Sequence, residues 1–402
     1  FAELVCEAQE FVREQNGGER SSASLRDVER CSKIYRWFGG FLANEFGQTE
    51  GWTLQDFLEV KEEAFAHIRT AVIMSLAYCY HARLDRSFRQ GLRQRLDQRL
   101  CQLAEENNRK IADWHANEDQ LEPENNNQKA NNAKNKSTKE AEAEAATAAN
   151  KKLTKQRELE SLQRRCVSWL NFSAKGFYAE VDRIQKYFVN NMRVGRGIAR
   201  NEALSENLFM ILVSILIKEP IFVIGVPGSS KSLAMRLIQS NLRGDASTND
   251  FLRRLPAVEV FPYQCSPQST SQGIEQVFAA AGRVAKEAQN TVVVVLLDEV
   301  GLAEYSPHLP LKVLHKLLDE GKGRQALVGI SNWPLDPAKM NRAVHLFRPA
   351  PTAADLAITA SGIVQDEGLK MYLKALASAY HDVVEAQKIN YAGQPQANFW
   401  GL

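Results

Sequence analysis

The residues best equipped for chemistry lie in the second half of the chain. Gly225-Val226-Pro227-Gly228-Ser229-Ser230-Lys231-Ser232 follows a short apolar run, Ile221–Ile224, and opens a helical stretch from Leu233. A glycine-rich turn between a strand and a helix N-terminus aims backbone N–H groups at phosphate oxygens. In such a loop Gly225, Pro227, Gly228, Ser229 and Ser230 shape the cradle, and Leu233 starts the helix behind it. Lys231 reaches the β- and γ-phosphates of ATP, and Ser232 offers its hydroxyl to Mg²⁺. Ser230 stands where these loops normally carry glycine, which permits a positive φ. A serine there is tolerated if its dihedrals are helical.

A second motif ends the most apolar run, Val292–Leu297, with Asp298-Glu299. A carboxylate at the C-terminal end of a parallel strand faces the crevice where α/β sheets bind ligands. Asp298 would share the Mg²⁺ shell with Ser232. Glu299 would orient or deprotonate an attacking water. A loop that only sequesters nucleotide has no need of Glu299, so its presence favours hydrolysis. Gly329-Ile330-Ser331-Asn332 ends another strand, and Asn332, ahead of Ser331, is the candidate for positioning that water. The plainer reading of Asn332 is a turn former before Trp333-Pro334. Arg342 and Arg348 flank the last strand, and Arg342 is the better candidate for a finger acting on a neighbouring module's phosphates. The plainer reading is a pair of surface or phosphate-distant arginines.

These motifs need a parallel sheet to position them. Ile221–Ile224, Val258–Phe261, Val292–Leu297, Leu327–Ile330 and Val344–Phe347 read as strands, and Leu233–Leu242, Gly273–Ala288 and Leu311–Leu318 as helices between them. Such alternation predicts an α/β fold, with Val292–Leu297 covered on both faces. Gln264–Gln272 reads as an ordinary connection rather than a mobile pore loop.

The first hundred residues read as helical. Ser24-Leu25-Arg26-Asp27 has the form of a capping box, and Gly39-Gly40 should end or kink the helix that follows. Leu84, Phe88, Leu92, Leu96 and Leu100 make one apolar stripe. The arginines of Arg83–Arg99 read as a solvated face, because Asp85 and Asp97 are interleaved. Residues 103–156 are Glu/Asn-rich and then Lys/Glu/Ala-rich, with little apolar content to offset chain entropy, so a disordered insertion is expected, its second half able to form an exposed helix. Helical sequence resumes through Leu162, Cys166, Trp169 and Leu170, and again through Val181–Phe188.

Bulk properties narrow the partners. In 402 residues, 24% are charged and the net charge is +2, which argues against a chain-wide nucleic-acid or membrane field. The six cysteines form no CxxC or Cys/His cluster, so reduced thiols and no zinc site are expected. No apolar run is long enough to span a bilayer.

The order of phosphate loop, Asp-Glu strand and Asn-containing strand end resembles that of AAA+ ATPases. More specifically, Ile198–Leu204, Gly225–Leu233, Gln264–Pro267, Leu297–Pro307, Pro310–His315 and Ser331–Trp333 resemble the mysterin family of giant RING-type ubiquitin ligases, which carry a ring of tandem AAA units. The Ser230 departure is similar to that family's second intact unit. The resemblance implies an AAA+ core over 157–350 and the start of its helical lid over 351–402. It also makes 1–102 the lid of a preceding unit plus connector helices, with Arg26 as that unit's second sensor arginine. The implied partners are neighbouring AAA units of one polypeptide, the ubiquitin machinery through the full-length protein, and further copies in self-association. The implied setting is cytoplasmic, with action on lipid droplets and intracellular pathogens. Adenine is expected near Ile198-Ala199-Arg200. Two alternatives stay open: a non-hydrolysing ATP-bound strut that sets ring shape, and a mechanical ATPase as in dynein or midasin. A small-molecule kinase fits least, having no use for Asn332 or Arg342.

Overall fold

The computed structural model describes residues 1–18, 23–46, 62–118, 172–320 and 325–390. Helices α1 (Ala2–Gln15), α2 (Leu25–Phe46) and α3 (Glu62–Leu76) come first; α3 passes into a π-helical turn, Ala77–His81, and α4 (Arg86–Glu118) follows. Then come α5 (Ala174–Asn190) and α6 (Glu202–Ile217). The α/β part runs β1 (Ile221–Gly225), α7 (Lys231–Asn241), α8 (Asp250–Arg253), β2 (Ala257–Gln264), α9 (Ser271–Glu287), β3 (Thr291–Asp298), α10 (Val313–Glu320), β4 (Ala326–Ser331), α11 (Pro337–Met340) and β5 (Val344–Arg348). Helices α12 (Ala353–Val364) and α13 (Lys370–Asn390) complete it.

All strand pairs are parallel, in the order β2-β3-β4-β1-β5. The chain leaves β1, returns to it through β4, and then crosses to β5 on its other side. The C-terminal end of β1 is therefore a switch point, where a crevice opens beside the strand ends. Every residue of β1 and β4 is buried, as their unbroken apolar sequences require of strands covered on both faces. On one face pack Ile274 and Phe278 of α9 and Leu314 of α10. On the other, α6 and α7 join the strands in one core with Leu4, Phe38, Tyr78 and Leu92 of the N-terminal helices. Asn201 caps α6 by accepting from Leu204 N–H at 2.8 Å, and Thr352 and Asp355 form a reciprocal capping box on α12.

Several expectations are corrected. Helix α2 continues through Gly39-Gly40 to Phe46, with no atom within 4 Å of a Cβ built on either glycine. At its start, Asp27 accepts from Ser24 N–H at 2.8 Å, which is the back half of the capping box. Helix α4 extends to Glu118, so residues 103–118 of the expected insertion are helical; Arg99–Glu106 and Arg109–Glu105 ion pairs run along this stretch. Phe88 is 41% exposed although Leu84, Leu92, Leu96 and Leu100 are buried. The arginine face is only partly solvated. Arg83 is buried against Asp27 at 2.7 Å, and Arg89 against Glu206 at 2.9 Å. The rest of the insertion, the stretch through Leu162, Cys166, Trp169 and Leu170, and residues 391–402 lie outside the described residues.

Candidate functional site

The sheet brings the sequence motifs to one crevice. Gly225 ends β1 and lies so close to Arg348 that an added Cβ would sit 2.9 Å from the Arg348 carbonyl oxygen, so glycine is required there. Gly228 turns the loop at φ 79. Pro227 and Gly228 are exposed at its tip, whereas Ser229 and Lys231 are buried. Lys231 opens α7, whose first turn leaves N–H groups without intrahelical partners. Ser232 is exposed on that turn, and Leu233 packs inward against the core. Ser230 does not meet the helical condition: it is left-handed, at φ 62 and ψ 21. A serine thus occupies the conformation for which glycine is usual.

The Lys231 ammonium donates to Gly225 O at 2.5 Å, Val226 O at 3.0 Å, Ser229 Oγ at 3.2 Å and Asn332 Oδ1 at 3.1 Å. Burial pulls its pKa down to about 8, against the opposing pull of Asp298 and Glu299. The same two carboxylates act on Cys265, whose thiol is pushed up to about 12, first by burial and then by their charge.

Asp298 is the last residue of β3, and its Oδ1 accepts from Glu299 N–H at 3.1 Å. Glu299 is left-handed at φ 50 and exposed, and Gln264 Nε2 donates to its Oε2 at 3.1 Å. Gln264 ends β2 directly opposite Asp298 in the register. After Glu299 the chain makes a tight turn, Val300–Tyr305. A Cβ on Gly301 would lie 2.6 Å from Ser331 Oγ and 2.7 Å from Trp333 Nε1, so that glycine lets the two strand ends pack together. Ser331 is buried and bonded to Trp333 O at 2.6 Å, which leaves Asn332 as the residue turned toward Lys231.

Two site residues escaped the sequence reading. The sequence reads Gln264 as the start of a connection, but the alignment of β2 with β3 places it on Glu299. Asn207, fully buried on α6, donates Nδ2 to Ser229 O at 2.8 Å and fixes the loop from behind. Neither carries a local signal, because each partner lies more than twenty residues away. The connection after Gln264 is an ordinary one, tied down by Ser306 Oγ on Ser269 O at 2.8 Å.

The structure does not bring Arg342 to this crevice. It precedes β5, at the N-terminal ends of the strands and so at the opposite end of the sheet from the crevice, where Nη1 donates to Ala338 O at 2.6 Å and Nε lies 3.7 Å from Asp319. Arg26 reaches the same carboxylate at 3.7 Å. Both arginines line one small cleft of about 90 Å³ together with Arg30, Lys33 and Lys218. Arg348 is buried and paired with Glu206, so it is neither a surface residue nor a finger. Ile198-Ala199-Arg200 lies beneath α12, where a Cβ on Gly362 would approach Ala199 to 2.6 Å.

Among the described residues no group of three or more His, Cys, Asp or Glu could hold a metal ion. Mg²⁺ needs no such cage. It takes one or two carboxylates with phosphate oxygens and waters, and one carboxylate, Asp298, and one exposed hydroxyl, Ser232, fit that requirement.

The comparisons with known proteins point to one family. The RNF213 AAA domain family model matches residues 197–355. Over 411 residues the chain is 31% identical to the E3 ubiquitin-protein ligase RNF213 of Homo sapiens, covering 98% of this chain and 6% of that protein. The chain belongs to the RNF213-like AAA+ family. This RNF213-like chain is also 31% identical to RNF213 of Mus musculus over 418 residues, covering 98% of this chain and 7% of that protein. It is 37% identical to rnf213-beta of Danio rerio over 246 residues, covering 57% of this chain and 5% of that protein. It therefore spans only a small part of the length of these relatives. A structure of Rhizobiales Trip13 matches at 21% identity over 44% of this chain and 61% of its own, with a TM-score of 0.30, a likeness too distant to build on. The fold is that of an AAA+ core, and the family is one that binds nucleotide.

Proposed function

We propose that the AAA core over residues 157–350 binds ATP with Mg²⁺ and hydrolyses it, as one unit of a giant ubiquitin-ligase-like protein. The observation that carries this reading is the meeting of Lys231 and Asn332 at 3.1 Å, with Asp298 and Glu299 close enough to act on the same ammonium. Lys231 binds the β- and γ-phosphates in place of its present protein acceptors. Ser232 and Asp298 would hold Mg²⁺, whose chemistry there is the neutralisation of phosphate charge. Glu299, swung off Gln264, orients the attacking water and accepts its proton, and Asn332 holds the water in line. Replacing Glu299→Gln keeps the shape and removes the base. Phosphate release from ATP should fall at least a hundredfold while ATP binding is retained; an unchanged rate sinks the role given to Glu299.

The cleft of Arg26 and Arg342 supports a matching assignment. With residues 1–102 as the lid of a preceding unit plus connector, and 351–402 as the start of this unit's own lid, both arginines would face the preceding unit's nucleotide. Arg342 is the finger and Arg26 the second sensor, and Asp319 holds them in its absence. Ubiquitin transfer and self-association we assign to the whole protein. No described helix is long and apolar enough to cross a membrane, which suits a cytoplasmic setting; composition gives no reason to add nucleic acid. The strut reading has one observation in its favour: Ser230, in a left-handed conformation, stands where these loops normally carry glycine. Slow exchange of bound ATP without turnover would select it.

A further inference from the structure

A second cationic site lies where the helical arm meets the AAA core. It is a cavity of about 290 Å³ that no phosphate-loop residue lines. Arg86, Arg89 and Arg93 enter it from α4, Arg348 from the end of β5, Tyr178 from α5 and His81 from the end of the π-helical turn. The π-helical turn and β5 are locked together, Phe347 N–H donating to Ala82 O at 2.9 Å. Short π segments inside helices are frequently found at functional sites.

The cavity's donors exceed its acceptors. Arg89 is spent: it donates to Leu84 O, Ala82 O and Phe347 O and to both oxygens of Glu206 at 2.9 and 3.1 Å. Arg86 is held by Asp355 at 2.9 Å, with Glu202 at 3.6 Å. Arg348 pairs with Glu206 through Nη1, but its Nε is buried and has no partner. Arg93 makes no ion pair: it donates to His81 Nε2 at 3.1 Å and lies over the face of Tyr178 at 5.1 Å, with the Glu202 carboxylate acting on it from farther off. His81 stays neutral, because burial, and then the charges of Arg89 and Arg93, hold its pKa well below the usual range. Burial, and then Arg89, also bring Arg348 down to about 10. Four guanidinium groups thus gather at this cavity; Arg86, Arg89 and Arg348 are ion-paired with Asp355, Glu202 and Glu206, and Arg93 is not.

We propose that this cavity binds a small phosphate-class oxyanion, with Arg93 and the free Nε of Arg348 as its principal donors. The site is small for a nucleoside but ample for phosphate or pyrophosphate. Planar guanidinium groups suit such oxygens. The anion would tie α4 of the arm to the strand that runs beside β1, next to the phosphate loop but separate from it. Arg348 is directly opposite Gly225 in the register, so the two sites share a wall.

The probe is inorganic pyrophosphate, titrated calorimetrically into the 402-residue chain carrying Lys231→Ala, which removes the phosphate loop's own cation. Saturable binding at one site is expected, weakened at least tenfold when Arg93→Gln is added. Arg93 makes no ion pair and is partly exposed, so its replacement leaves the core intact. Lys231→Met serves as a second background, with the same expectation. No saturable binding in either background overturns the proposal, as does an affinity indifferent to Arg93→Gln. Neither outcome bears on nucleotide binding at Lys231.

Discussion

Ser230→Gly is expected to stabilise the chain. Ser230 is held at φ 62 and ψ 21 as the residue that starts α7, with no side-chain capping bond to reward it. An L-residue in this left-handed region carries about 1–2 kcal/mol of steric cost. Glycine removes that cost but returns about 0.5–1 kcal/mol through the extra freedom of its unfolded chain. The net gain is roughly 0.5–1 kcal/mol, or about 1–4 °C in a domain of this size. The assay is urea and thermal unfolding of the wild type, Ser230→Gly and Ser230→Ala. Alanine keeps the left-handed cost and loses only a hydroxyl, so it controls for the side chain. Gly228→Ala, at φ 79 with nothing within 4 Å of the added Cβ, tests the same cost in reverse and should lose roughly 0.5–1 kcal/mol net. If Ser230→Gly is no more stable than Ser230→Ala, the strain argument fails.

Lys231, pulled down to about 8 by burial, holds a full charge only below that pH in the nucleotide-free chain. Affinity for ADP should therefore fall by up to about tenfold per unit as pH rises above about 8, measured by titration across pH 7–10. Stability of the nucleotide-free chain should move the other way. Its folded pKa lies below the 10.5 of an ordinary lysine, so the unfolded chain binds more protons between about 8 and 10.5 and stability rises with pH there. Glu206→Gln leaves Arg89 and Arg348 buried without their shared carboxylate, and should cost about 3–5 kcal/mol in urea unfolding. A loss below about 1 kcal/mol would mean that water already reaches the pair.

The meeting of the motifs in one crevice was legible because each sits at a strand end and announces itself locally: Gly225–Ser232 after β1, Asp298-Glu299 after β3, Asn332 after β4. The unbroken apolar runs of β1, β3 and β4 made a two-sided parallel sheet readable too. What escaped reading depends on distant partners. Arg83 and Arg89 look solvated beside Asp85 and Asp97, but their carboxylates are Asp27 and Glu206, brought close only by folding. Gly39-Gly40 looks like a break, yet the residues around it bury Phe38 and Leu42 on one helical face, and packing outweighs the cost of two glycines. The conformation of Ser230 is set by the geometry of the loop rather than by its own preference. The π-helical turn at Ala77–His81 has no sequence signal, because a helical apolar pattern does not distinguish a wider turn.

The central claim is that nucleotide phosphates replace the protein acceptors around Lys231. Equilibrium binding of a fluorescent ATP analogue with Mg²⁺, to the wild-type chain and to Lys231→Ala, tests it most directly. The account predicts saturable binding to the wild type and a loss of at least tenfold in the variant. Equal binding by both proteins would contradict it, because the nucleotide would then be held somewhere other than the loop at Gly225–Ser232.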